Sequence, residues 1–286
     1  MRLVALLPVL TSASLDSRTV LSLNRRQQSK IKPITLTKFG VTFEAEVQVN
    51  NRTFFLISDT DSSDLWVPVA DFQCVNSTSG QDVSQEECQF GGTYQVPNST
   101  EYVANQTLGV QYGTGLALGK VAYADVTLNG KVGLVDRTDD LGDGIGSGVL
   151  GLGFPALTSA HPGTELDNNT LPVNRVPYDP VSVSMYKQGL VESWYSFAIE
   201  RPPKNATSGP GGWLGLGEMP PVAHPDDWAI KPIEVTDGLP DELTGWKRQI
   251  TPMTLSVDGV TWGNPSSNSS VTNSTTFQAV VDTGTL

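Results

Sequence analysis

Two short segments of the chain repeat one unit. Leu56-Ile57-Ser58-Asp59-Thr60-Asp61-Ser62 is echoed 223 residues later by Ala279-Val280-Val281-Asp282-Thr283-Gly284-Thr285. In each, an apolar strand-like run ends on Asp-Thr-X-Ser/Thr, which delivers an aspartate at a strand end. Two copies of one small unit predict two lobes related by a pseudo-dyad, with Asp59 and Asp282 brought face to face. Two such carboxylates cannot both ionise easily. One pKa falls, the other rises, and the pair holds one proton over a broad acidic range. It can draw a proton from water while giving one to a carbonyl oxygen, which is hydrolysis without a covalent intermediate.

Other chemistries have less behind them. His161 and His224 lie in Pro-containing loop sequence with no Gly-X-Ser-X-Gly elbow, so a Ser/His/Asp triad finds no support. Acidic residues are abundant and spacing alone leaves glycosidase carboxylates open, yet no motif stands behind them. Two cysteines and two distant histidines show no metal-ligand spacing, so no metal is expected.

A length of 286 residues suits two domains, and 38% hydrophobic content with plentiful Gly, Ser, Thr and Asn predicts a β-rich, turn-rich protein. Phe43, Ala45, Val47 and Val49 alternate with Thr42, Glu44, Glu46 and Gln48, the period of a half-buried strand. Asn50-Asn51 reads as a turn before a strand Phe54–Ile57 that runs into Asp59. Further strands are expected at 108–112, 116–121, 126–128 and 194–199, with turns at 113–115 and 129–130. Pro180, Val181, Met185 and Gly189 outline one helix. Residues 205–212 and 263–276 read as loops.

The N-terminus has the pattern of a secretory leader: Arg2, the apolar run Leu3 to Leu10, then Thr11-Ser12-Ala13. A frayed apolar terminus is the plainer alternative. The run is too short to span a bilayer. Asn51, Asn76, Asn98, Asn105, Asn168, Asn205, Asn268 and Asn273 each begin Asn-X-Ser/Thr, and eight sequons behind such a start predict a secreted glycoprotein. In an oxidising compartment Cys74 and Cys88 would close a 15-residue loop, the alternative being two unrelated thiols. Net charge is −12, but residues 15–40 hold six basic residues against Asp16 alone, while from Val41 onward 11 basic face 29 acidic residues. Nucleic acid is therefore a poor partner for the body. The basic stretch reads either as a leader paired with that body or as a solvated arm.

At this point the chain resembles the pepsin-like aspartic proteases. It carries their apolar pair followed by Asp-Thr-Gly-Ser/Thr twice, as Ile57–Pro68 and as Val280–Thr285. The flap signature is matched by Tyr112-Gly113-Thr114-Gly115, and an apolar-Gly segment behind the first aspartate by Gly148–Phe154. The resemblance covers residue 41 to the end, with weaker likenesses at Trp194–Ile199 and Gly211–Gly217.

The resemblance implies an all-β, mostly antiparallel, bilobal fold with few short helices and an incomplete C-terminal lobe. It implies an endopeptidase acting in acid on extended peptides, without a cofactor. Asp59 and Asp282 would be catalytic. Thr60, Ser62, Thr283, Gly284 and Thr285 would support them. Tyr112, Gly113, Thr114 and Gly115 would form the flap, with the Tyr112 hydroxyl near Trp66. The division expected is a leader over 1–14, a short basic pro-segment over 15–40, an N-terminal lobe over 41–192 and the start of a C-terminal lobe over 193–286. The partner is a peptide or protein substrate, with no nucleic acid, no membrane span in this chain, and a monomer when complete. The location is extracellular, with the vacuole and cell surface as alternatives. Two departures bear on activity. Asp61 stands where the pattern has glycine, and the chain ends just after the second motif, the expectation for a fragment or truncated reading frame. The competing reading is an impaired relative that binds peptide without cutting it.

Overall fold

The computed structural model of the chain describes residues 2–6, 30–38, 41–113, 115–126, 130–139, 141–164, 174–200, 203, 205–224, 228, 233, 254–263 and 270–284. The first elements are β1 (Arg2–Leu6), β2 (Ile31–Thr37), β3 (Thr42–Val49), β4 (Arg52–Asp59), β5 (Leu65–Val75) and β6 (Asp82–Val83). They are followed by β7 (Glu101–Gln111), β8 (Leu116–Ala124), β9 (Gly130–Thr138), β10 (Val149–Gly151) and β11 (Ala160–Pro162). Then come α1 (Val181–Lys187), β12 (Tyr195–Ile199), β13 (Gly209–Leu216), β14 (Thr254–Gly263) and β15 (Ser270–Val280). All but the last two strands form one sheet in the order β1-β12-β13-β2-β3-β4-β10-β5-β9-β8-β7-β11, with β6 on the side of β5. β14 and β15 form a separate antiparallel ribbon. The protein is thus mostly antiparallel β with one α-helix among the described residues.

Local chemistry accounts for the turns. Asn50 and Asn51 both take left-handed backbone, at φ 47° and 65°, which asparagine tolerates and a tight reversal between β3 and β4 requires. α1 starts after Pro180 and is closed by Gly189 at φ 68°, as the sequence predicts. Its buried Val181 and Met185 join a core with Leu56, Leu65, Val67, Phe197 and Leu214. A second cluster, around Ile57, Trp66, Leu108, Val110 and Val149, lies next to the site described below.

Some expectations on individual segments are corrected, and others gain detail. Ile31–Thr37, expected within a basic segment ahead of the first strand, is a strand paired to β3, because Ile34 and Leu36 alternate into the core despite the flanking lysines. Tyr195–Ile199 and Gly209–Leu216 lie in the segment expected to start the C-terminal lobe. They are hydrogen-bonded through β2 into the same sheet as 41–162, so the sheet continues across that boundary. Residues 209–212, read as loop, already belong to β13, and 270–276 belong to β15, since Thr and Val suit a pleated ribbon as well as a loop. The alternation predicted for β3 holds at Ala45, Val47 and Val49 but fails at Thr42 and Glu44, both fully buried. Arg2–Leu6, the start of the run read as a leader, pairs with β12 at the end of the sheet. Of the strand expected at 126–128, Val126 makes an isolated bridge to Val49 and the rest lies outside the described residues.

Cys74 and Cys88 are buried and disulfide-bonded, tying β5 to the short helical turn Gln85–Cys88. Replacing both by serine is expected to lower the unfolding free energy by about 3 kcal/mol, the loop entropy released to the unfolded chain. Urea denaturation checks this, and an unchanged midpoint would mean that the loop is held by its other contacts, such as Gln85 on the Phe72 carbonyl.

Candidate active site

Asp59 is the last residue of β4, and the strand beside it fixes where its loop goes. β10 runs parallel to β4 with Val149 opposite Ile57 and Gly151 opposite Asp59. Beyond the strand end, the backbone N–H groups of Leu152, Gly153 and Gly151 donate to the carbonyls of Asp59 (2.7 Å), Ser62 (2.8 Å) and Asp64 (3.0 Å). The Ser63 hydroxyl donates to the Phe154 carbonyl at 2.6 Å. Glycine is needed here: a Cβ at Gly151 would stand 2.4 Å from the Ser63 backbone. The loop 59–64 is therefore pinned along its whole length.

The carboxylate of Asp59 is only 5% exposed. Oδ1 accepts the Asp61 N–H at 2.8 Å, and Oδ2 accepts the Ser62 hydroxyl. Burial pushes its pKa above the ordinary carboxylate value, the bonds from Ser62 and Asp61 pull it back, and the charge of Asp282 pushes it up again. Asp282 follows β15, is exposed, and accepts the Gly284 N–H on Oδ1 at 2.8 Å. The same Asp-to-second-amide bond thus occurs in both copies of the repeat.

The two loops are clasped by their threonines. Thr60 Oγ1 donates to the Val281 carbonyl at 2.7 Å and accepts the Thr283 N–H at 3.1 Å. Thr283 Oγ1 donates to the Ser58 carbonyl at 2.5 Å. Each hydroxyl thus reaches the strand end of the other copy. Gly284 lies so close that a Cβ there would be 2.5 Å from Asp59 Cβ and Cγ. This glycine cannot be replaced without moving the buried carboxylate.

Asp61 holds the corresponding place in the first copy of the repeat. Its backbone does not need left-handed φ, and its N–H makes the bond to Asp59 described above. Its side chain carries a buried Oδ1 with no hydrogen-bond partner. Burial, then the charges of Asp59 and Asp282, push its pKa up to about 7. In acid it is therefore a neutral third carboxyl beside the pair.

The β7–β8 hairpin leans over this centre. Tyr112 N–H bonds the Gly115 carbonyl at 2.7 Å across the turn, and Trp66 Nε1–H donates to the Tyr112 hydroxyl at 2.7 Å. Burial, then Asp59, pushes the phenol pKa well above its usual value, so it stays protonated. Gly113 is exposed at the tip. Gly115 packs on Asp139, where a Cβ would meet Oδ1 at 2.2 Å, and Asp139 accepts the Leu116 N–H at 2.9 Å.

The structure thus brings together Asp59, Asp282, Thr60, Ser62, Thr283 and Gly284, and joins Tyr112 to Trp66. Thr114 and Thr285 lie outside the described residues. Sequence reasoning missed the support beneath the loop. Asp64 is fully buried and accepts the Tyr178 hydroxyl at 2.5 Å and the Ser159 N–H on both oxygens at 3.0 Å. A charge set directly before Leu65-Trp66-Val67 was the available signal. Asp139 left none. An apolar pocket lined by Leu152, Phe154, Tyr186, Val191, Trp194 and Leu216 lies against α1 and β12, and neither aspartate of the pair lines it.

Comparison with known proteins shows what the chain is similar to. A family model described as eukaryotic aspartyl protease matches residues 43–286. A probable aspartic-type endopeptidase of Aspergillus fumigatus is 31% identical over 277 residues, which is 94% of this chain and 59% of the relative. Candidapepsin-1 of Candida albicans is 30% identical over 196 residues, 64% of this chain and 44% of the relative. The crystal structure of an aspartic proteinase from Irpex lacteus superposes with a TM-score of 0.58 at 20% identity, over 89% of this chain and 62% of that one. The chain spans about half the length of these curated relatives.

Proposed function

Because the chain belongs to the eukaryotic aspartyl protease family, we propose that it is an aspartic-type endopeptidase that hydrolyses peptide bonds in acid through Asp59 and Asp282. The observation that carries this reading is the threonine clasp, which sets two equivalent Asp-Thr loops against each other with Gly284 on the Asp59 side chain. One proton is shared between the two carboxyls. The ionised member takes a proton from the attacking water while the protonated member gives one to the scissile carbonyl oxygen, and the roles reverse as the amine leaves. Ser62 and the Asp61 N–H hold Asp59 in orientation for this. Tyr112, steadied by Trp66, closes over a peptide bound as an extended strand.

Export of the protein is supported by sequon asparagines that face solvent at 51, 76, 98, 105 and 205 and by the charge-then-apolar order of residues 1–14 in the sequence, although Arg2–Leu6 pairs with β12 in the folded chain. Within the basic segment 15–40, strand β2 is part of the folded body, and the two lobes are proposed as 41–192 and 193–286, each contributing one copy of the repeat. A second reading, a relative that binds peptide without cutting it, is favoured by the unpartnered carboxyl oxygen of Asp61 at the centre.

The test is digestion of an unfolded protein between pH 3 and 7, with and without a peptide mimic carrying a hydroxyl at the scissile position. Cleavage confined to acid and blocked by the mimic is expected. Binding of the mimic without cleavage selects the second reading, and cleavage indifferent to the mimic overturns both.

A further inference from the structure

Glu44 breaks the pattern of its strand. Its neighbours across the sheet are Thr35 on β2 and Ile57 on β4, and it is 0% exposed. One oxygen, Oε1, accepts the Thr37 hydroxyl at 3.3 Å, and Thr37 in turn bonds Thr42. The other, Oε2, is buried without a protein donor. A buried carboxylate left in that condition is costly unless it carries a proton or meets one.

The group it meets is a second carboxyl. Asp143 accepts the Ile145 and Gly146 N–H groups on Oδ1 at 2.9 and 2.7 Å, while its Oδ2 is likewise buried without a donor. Both carboxyls close on Gly146, where a Cβ would come 2.5 Å from Glu44 Oε1 and 3.4 Å from Asp143 Oδ1. Two buried carboxyls at one glycine, each with one unserved oxygen, are an arrangement that a single shared proton can satisfy. Burial, then the Asp143 charge, pushes Glu44 up to about 8. Burial also pushes Asp143 upward, but bonds from Thr37, the two amides and Glu44 outweigh it and hold Asp143 below the ordinary value. The proton therefore resides on Glu44. Lys38, just after β2, is the cation among the described residues that acts on Glu44, and it opposes the shift without reversing it. Glu46, next on the same side of β3, is exposed to solvent, and neither Thr35 nor Ile57 titrates.

This pair fastens a loop that leads to the dyad. Gly146 lies against Glu44, where a Cβ would come 2.5 Å from Oε1. The same loop is bonded from Gly142 N–H to the Cys88 carbonyl, from Gly144 N–H to Gln89, and from Ser147 N–H to Phe55. It continues through Gly148, whose carbonyl accepts the Ile57 N–H at 3.0 Å, into β10 and the amide that holds the Asp59 carbonyl.

We propose that Glu44 and Asp143 form a proton-held latch outside the dyad, which secures the loop 142–147 and the strand behind Asp59 in acid and releases them as the pH rises through neutrality. The sign follows from linkage. Glu44 has a folded pKa above its unfolded value of 4.5, so its contribution is complete below 4.5 and is lost as the pH climbs toward about 8. Asp143 acts oppositely: its contribution is present above its unfolded value and lost in strong acid as the pH falls through its folded one. The latch is therefore set in mild acid. It does not depend on the chain being a protease.

The experiment compares the full chain with Glu44→Gln, whose amide keeps the shape and carries no titrating proton. Between pH 5 and 7.5 the unfolding constant of the parent is expected to rise by up to about tenfold per pH unit more steeply than that of the variant. Exchange of the Ile145 and Gly146 amides, corrected for intrinsic rate, is expected to accelerate over the same range in the parent only. At pH 6.5 the infrared difference between the two should contain the carbonyl band of a protonated carboxylic acid, a reading made on folded protein. If Glu44→Gln does not fold, Asp143→Asn serves, and should move the parent's transition to lower pH. Parallel pH dependences, or the absence of the acid band, would overturn the proposal. So would calcium stabilising the parent at pH 7.5 but not the variant, which would make the pair a cation site instead.

Discussion

Asp59→Asn is expected to lower the rate of peptide cleavage at pH 4 by about a thousandfold while leaving the fold intact. Asparagine keeps an oxygen for the Asp61 N–H and can still bond the Ser62 hydroxyl, so the pinned loop loses little. It cannot exchange a proton with water, and proton transfer by a positioned group is worth about 10²–10⁴ in rate. Stability should move the other way. Asp59 has a folded pKa above its unfolded value, so its contribution is full in strong acid and is lost as the pH rises through the folded value. The asparagine variant lacks that loss and should melt higher than the parent at pH 7. Rates and melting temperatures at pH 4 and 7 check both halves, and a variant that is inactive because it is unfolded at pH 4 would contradict the first.

Asp61→Gly is expected to raise cleavage at pH 4 by about tenfold, through relief of crowding at a centre where a 1 Å displacement costs about two orders of magnitude. At that pH Asp61, titrating near 7, is neutral, so charge repulsion is not what the change removes. Charge matters at the other end of the profile. Once ionised, Asp61 raises the pKa at which the pair gives up its last proton, and so holds the alkaline limb of activity up. The glycine variant should lose activity about one pH unit lower, a figure that allows for the partial exposure of Asp61. Its stability should rise near neutral pH, because Asp61 also has a folded pKa above its unfolded one and its stabilisation is lost toward pH 7. Relief of a buried unpartnered oxygen is worth about 1–3 kcal/mol, against about 0.5–1 for the backbone freedom of glycine. A pH profile unchanged in height and position would show that Asp61 is without influence on the pair.

The parts of the site carried by short chemical units at strand ends were legible in the sequence. Asp-Thr repeats, the Tyr112–Gly115 turn and the glycines of 148–153 are constrained residue by residue, and their clasp and register follow. Period-two patterning was less dependable because it presumes one wet face. β3 lies between β2 and β4, and Gly146 of the loop 142–147 lies against its polar side at Glu44, so Glu44 is buried while reading as outward. Lysines around Ile34 and Leu36 disguised β2 as a charged tail, although the strand needs only those two side chains inside. Asp64 escaped although its place before Leu65-Trp66-Val67 signalled burial, and Asp139 escaped because nothing local tells a buried carboxylate fed by a distant donor from a solvated one.

The claim that Asp59 and Asp282 act as one unit is tested most directly by cleavage rates of Asp59→Asn, Asp282→Asn and the double variant at pH 4. If the pair shares one proton, removing either member removes the function of both. The three variants should then be equally slow, within a few fold, because residues that work as a unit do not contribute additively. Independent losses that multiply in the double variant, or substantial activity in either single one, would contradict it.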